Sequence, residues 1–88
     1  MFVIICYDIT DDGRLNKARK VLRKYLNWVQ YSVFEGNISY GNLEKCLAEV
    51  SEVIDKREDS LYVYMTDFEK SIRKKVIGKD KNPSDNFI

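Results

Sequence analysis

Asp8 closes the apolar run Phe2-Val3-Ile4-Ile5-Cys6-Tyr7, and a carboxylate at the end of such a run has two uses. It turns the chain through an Asx turn toward Thr10 or Asp11, or it binds a cation where the strand leaves the sheet. Histidine is absent from all 88 residues, which excludes Ser-His-Asp triads, Cys-His dyads, histidine bases and His-containing zinc sites. Chemistry must then come from carboxylates, metal-activated water, tyrosine, serine, cysteine or lysine. Phosphodiester hydrolysis on these terms needs a magnesium ion to activate water and to neutralise charge on the scissile phosphate. Magnesium is typically held by one or two carboxylates with waters and phosphate oxygens, so a single Asp8 suffices if symmetry brings two copies together. Arg14 and Lys17 are the nearby bases that would position a nucleic-acid backbone. Tyr7 and Ser32 are candidate polar contacts, explained equally well as strand residues satisfying backbone partners.

The two cysteines, Cys6 and Cys46, sit in apolar runs with neither CxxC spacing nor a further ligand, and both read as buried thiols of a reducing compartment. A 44% hydrophobic share with 33% charged residues and one proline is the balance of a single packed domain over 1–88 and excludes a disordered chain. The apolar N-terminal run stops at Asp8, short of the ~20 residues that span a bilayer, so the expected protein is cytoplasmic with no membrane partner.

The formal net charge of +1 hides a segregation of signs along the chain. Residues 13–34 carry Arg14, Lys17, Arg19, Lys20, Arg23 and Lys24 and no acid, residues 43–59 are mainly acidic, and 70–81 turn basic again. Such basic surfaces suit polyanions such as nucleic acid, and a solvated helix face explains each run equally well.

Positioning these groups requires a small mixed fold. A buried strand is predicted over 2–9, with Phe2, Ile4, Cys6 and Asp8 on one face. The stripe Leu15, Ala18, Leu22 and Tyr25 predicts an amphipathic helix over 14–26, capped by Asp11 or Asp12. A second strand is predicted over 28–34, a bend at Glu35-Gly36-Asn37, and a short third strand near Ile38. Leu43, Cys46, Leu47, Val50, Val53 and Ile54 predict a second helix ending near Lys56, and 60–66 a strand with aliphatic Leu61, Val63 and Met65 opposite aromatic Tyr62 and Tyr64. Residues 75–78 read as a short edge strand, followed by a polar turn at Asn82-Pro83-Ser84 and an apolar end at Phe87-Ile88. This order is the α+β, ferredoxin-like βαββαβ sandwich, with two helices on one face of a mainly antiparallel sheet. Phe34, Tyr62 and Tyr64 are candidates for the uncovered face, where a partner chain or stacked nucleic-acid bases would cover them. No Lys/Arg-Gly-Phe/Tyr-Gly/Ala-Phe-Val signature of RNA-recognition domains is present, which favours the partner chain.

Tyr7-Asp8-Ile9-Thr10-Asp11-Asp12, a basic helix, and then Val29-Gln30-Tyr31-Ser32-Val33-Phe34-Glu35-Gly36 at this separation resemble the small CRISPR-associated endoribonuclease family. That family is the second Cas protein, which acts with the Cas integrase in spacer acquisition. The resemblance extends more loosely over the whole chain. It implies a ferredoxin-like homodimer whose last strand adds to the partner's sheet and whose two copies of Asp8 face each other and share Mg2+. It implies Asp8 as catalytic metal ligand, Tyr7 and Phe34 beside it, and Arg14 and Lys17 toward nucleic acid, either single-stranded RNA or double-stranded DNA. It also implies Cas integrase dimers as partners, bridged by this protein; a non-catalytic DNA-binding adaptor is the alternative, and a VapD-like ribonuclease toxin a more distant one. The chain departs from the pattern at Leu15, where many members continue a basic run, at Leu26-Asn27, which replaces a glycine turn, and at Trp28, where a basic residue often stands.

Overall fold

In the computed structural model, which describes residues 1–68 and 72–82, every second residue of the first apolar run is buried. Strand β1 (Phe2–Asp8) turns Val3, Ile5 and Tyr7 inward and leaves Phe2, Ile4 and Cys6 half-buried and Asp8 exposed. That is the period-two pattern of a sheet with one covered face. Asp11 then caps helix α1 (Asp12–Tyr25), accepting the Arg14 backbone N–H at 2.9 Å, so the helix starts two residues ahead of the 14–26 prediction. Ala18 and Leu22 are its buried stripe, and Arg23 and Lys24 in the last turn oppose the negative end of the helix dipole.

The single strand expected over 28–34 is a hairpin, β2 (Asn27–Gln30) and β3 (Val33–Asn37), turning at Tyr31-Ser32. Tyr31 takes the left-handed region at φ +36°, and its carbonyl accepts the Tyr7 hydroxyl at 3.2 Å and the Trp28 indole N–H at 3.1 Å. Tertiary donors thus hold a turn that lacks the Asn-Gly or Gly signal of short hairpins. A bulge between Trp28 and Gln30 also shifts the register of β2. Phe34 consequently lies opposite Ile5 and is fully buried, which corrects its expected place on the open face. Ile38 is no strand: it is buried after β3, with its N–H bonded to the Met1 carbonyl at 2.9 Å. Between them Gly36 holds φ +157°, where an added Cβ would stand 3.4 Å from Leu26 Cδ2.

Helix α2 (Tyr40–Val53) is capped by Ser39, buries Leu43, Cys46 and Val50, and stops at Val53, three residues short of Lys56. Strand β4 (Ser60–Thr66) forms where expected. The sheet order is β2-β3-β1-β4 with every pair antiparallel, so β1 and β2 are parallel with β3 between them, and α1 and α2 pack together over one face. Val3, Ile5, Tyr7, Leu22, Leu26, Phe34, Leu43, Cys46 and Val50 form the core beneath them.

The edge strand expected over 75–78 does not form; among the described residues the sheet has four strands and no C-terminal fifth. Residues 72–82 are instead tied to the hairpin by side chains: Lys74 lies 3.6 Å from Glu35, the Asn82 amide donates to the Trp28 carbonyl, and the Lys81 ammonium sits 4.2 Å from the centre of the Tyr31 ring. A lysine-rich segment makes these contacts without surrendering its charges to a backbone ladder. Lys70, the turn at Pro83-Ser84 and the Phe87-Ile88 end lie outside the described residues.

Candidate active site

Strand alternation decides which groups share the uncovered face. Asp8 pairs with Ser60, Cys6 with Tyr62 and Ile4 with Tyr64 across the β1/β4 ladder, so these side chains stand on the side away from the helices. Tyr62 and Tyr64 are 61% and 57% exposed, as expected for that face, and an open depression of about 360 Å³ is lined by Cys6, Tyr7, Asp8, Ser60 and Tyr62. Cys6 is half-buried here, a correction of its reading as a core thiol, whereas Cys46 is buried and burial pushes its thiol up to about 11.

Asp8 itself is exposed and has no hydrogen-bond or ion-pair partner among the described residues. Its turn-forming use is not realised, because the Thr10 N–H that such a turn would draw on donates to Asp59 Oδ1 at 3.0 Å. A free carboxylate oxygen pair at the mouth of a depression suits a hard divalent cation, which prefers oxygen ligands. Among the described residues no group of three or more His, Cys, Asp or Glu side chains could hold a metal ion, so a cation at Asp8 would need further ligands such as water, phosphate oxygens or a second copy.

Tyr7 and Phe34 lie on the opposite side of the strand from Asp8, in the core, with ring centres 6.1 Å apart. The Tyr7 hydroxyl accepts from Arg19 Nε at 3.2 Å while donating to the Tyr31 carbonyl, which also receives Arg19 Nη2 at 3.5 Å. Their support for the site therefore runs through the packing that joins β1 to the hairpin turn. Arg14 is drawn away from its expected approach to nucleic acid: Nε donates to Asp59 Oδ2 at 2.8 Å and Nη2 to Oδ1 at 3.2 Å. Lys17 is exposed on α1 and makes no ion pair among the described residues.

Sequence reasoning missed Asp59. Its side chain is wholly buried, and the guanidinium of Arg14, followed by the backbone N–H groups of Asp55 and Thr10, holds its carboxyl well below the usual carboxylate range against the opposing cost of burial. The only sequence signal was an acid immediately before the apolar run of β4, and it is submerged among Asp55, Glu58 and their basic neighbours. A second depression, of about 330 Å³, lies at the far, β2 edge of the sheet between Val29, Gln30 and Glu35 and the lysines Lys74, Lys75, Lys79 and Lys81. It is remote from Asp8 in the strand order, and its lining mixes these four lysines with Glu35, Asp80 and the apolar Val76 and Ile77.

A βαββαβ sheet with both helices on one face and an unpaired carboxylate at the outlet of β1 is a ferredoxin-like α+β domain with an acidic surface site. The profile of the CRISPR associated protein Cas2 family matches residues 1–75, and the chain belongs to that family. It is 46% identical to the CRISPR-associated endoribonuclease Cas2 3 of Thermodesulfovibrio yellowstonii, over 99% of this chain and 98% of that one. It is 44% identical to the CRISPR-associated endoribonuclease Cas2 of Thermotoga maritima, over 100% and 99%. A crystal structure described as cas2 superposes with a TM-score of 0.83 at 34% identity, covering 94% of this chain and 92% of that chain.

Proposed function

We propose that the protein is a magnesium-dependent endoribonuclease of CRISPR adaptation, with Asp8 as the metal ligand. The observation that carries this reading is the exposed, unpartnered carboxylate of Asp8 on the open face of the sheet, in a chain whose relatives are named endoribonucleases. Magnesium bound there would activate water and neutralise charge on the scissile phosphate. The chain's own contribution is to hold Asp8 at the strand end with Ser60 beside it, and to offer Tyr62 at the wall of the depression. Lys17, Lys20 and Arg23 on α1 and the lysines of 74–81 are exposed cations that would track a phosphate backbone. The apolar and aromatic open face supports a homodimer in which two copies of Asp8 approach one ion. The same assembly would bridge Cas integrase dimers during spacer acquisition.

The test is cleavage of labelled single-stranded RNA and double-stranded DNA by the wild type and by Asp8→Ala, each with magnesium and with EDTA. Cutting that needs both the ion and Asp8 is expected, with RNA as the preferred substrate. Equal cutting by Asp8→Ala, or no cutting of either substrate by wild type, would remove the nuclease reading. Salt-sensitive DNA binding that Asp8→Ala leaves intact would then make the non-catalytic adaptor the leading account.

A further inference from the structure

We propose that Asp59 is a positioning residue for Asp8: its buried carboxylate, bonded to Arg14 and Thr10, fixes the end of β1 and so sets where the Asp8 backbone stands. The inference rests on the reading of Asp8 as the metal ligand. Three segments converge on one carboxylate. Asp59 Oδ1 accepts the Thr10 N–H at 3.0 Å, the Thr10 hydroxyl at 3.3 Å and Arg14 Nη2 at 3.2 Å; Oδ2 accepts Arg14 Nε at 2.8 Å and the Asp55 N–H at 2.9 Å. Arg14 Nη2 also donates to Thr10 Oγ1 at 3.2 Å, closing the ring between the β1 exit and the first turn of α1.

The cluster borders the site through the backbone on both sides. Asp59 immediately precedes Ser60, and Ser60 is the cross-strand partner of Asp8 in the last rung of the β1/β4 ladder. Beyond that rung β1 has no further ladder; Ile9 packs against the core, and the first hydrogen bond on the departing chain is that from Thr10 to Asp59. Asp8 has no side-chain partner among the described residues, so the protein's hold on its carboxylate runs through the backbone that carries it. The Asp59 carboxylate is fully buried while the Arg14 side chain stays 29% exposed, and besides its contribution to stability such a pair serves to fix one arrangement of the chain. Groups hydrogen-bonded to a metal ligand change ion affinity or activity by roughly 10–100-fold when removed, and Asp59, which acts through the backbone and does not touch Asp8, belongs at the low end of that range.

The experiment uses the full chain as Asp59→Asn, Arg14→Lys and Thr10→Ala, with two readouts beyond circular dichroism. One is the magnesium concentration for half-maximal cleavage of single-stranded RNA. The other, independent of turnover, is the line broadening of the Asp8 backbone amide as Mn2+ is titrated. Folded Asp59→Asn is expected to need roughly 10-fold more of either ion, with Arg14→Lys between it and wild type. Folded variants with wild-type dependence in both titrations would overturn the proposal. Should Asp59→Asn fail to fold, Arg14→Lys and Thr10→Ala decide it by the same criterion. Should the wild type neither cut RNA nor show broadening at Asp8, the metal reading of Asp8 fails separately. The positioning claim is then decided by the amide shift and exchange rate of Asp8 in Arg14→Lys: a change supports it and wild-type values overturn it.

Discussion

A carboxylate removed from water must recover its lost hydration from protein donors, and Asp59 recovers it from a guanidinium and two backbone N–H groups. These partners favour the ionised form, so the folded value lies below the ordinary 3.8 while the unfolded chain titrates near it. The unfolded state therefore binds a proton first as the solution is acidified. The stability contributed by Asp59 is fully present above about pH 4 and is lost as pH falls further through the folded value. Thermal melts of wild type between pH 2 and 6 are expected to lose stability steeply below about pH 4, and Asp59→Asn to show a shallower acid limb from a lower starting melting temperature. Parallel limbs in the two proteins would mean that other carboxylates carry the acid transition. Asp8 and Asp59 also mark what a sequence discloses about single residues. Asp8 stood out because it interrupts an apolar alternation, which is a local property. Asp59 did not, because its burial depends on Arg14 reaching across 45 residues of chain, and no local pattern encodes that approach.

Local signals were strong where one element satisfies its own ends. Asp11 and Ser39 cap α1 and α2 through the N–H three residues on, and the strands over 2–8 and 60–66 follow directly from alternation. The sequence predicts the hairpin but puts its turn at 35–37 instead of 31–32, because a continuous run of aromatic and β-branched residues spans it and its turn is held by donors from β1, α1 and β2. That turn moves Phe34 from the open face into the core, which has an energetic consequence at the level of the element. Phe34→Ala should cost about 3–5 kcal/mol, as for other buried aromatic truncations. Asp11→Ala, which removes only a cap, should cost about 1 kcal/mol. Urea unfolding of the two variants checks the contrast, and a Phe34→Ala loss no larger than that of the cap variant would return the ring to the surface.

Considered as a whole, the chain covers one face of its sheet with helices and leaves the other with Ile4, Cys6, Tyr62 and Tyr64 beside Asp8. An exposed face of this kind marks an interaction surface. A second copy seated on it would satisfy the aromatic surface and bring a second Asp8 toward the first, supplying a further carboxylate to the site. Tyr64 tests this without disturbing the core, since it is 57% exposed. Wild type is expected to sediment as a dimer, and Tyr64→Glu as a folded monomer, because a carboxylate there would have to be buried without a partner in the assembly. If the two Asp8 copies share the ion, the monomeric variant also loses magnesium-dependent cleavage while its circular dichroism stays that of wild type. Dimeric Tyr64→Glu would place the interface elsewhere, and a monomer that cuts RNA as well as wild type would show that one Asp8 with water and phosphate oxygens completes the site.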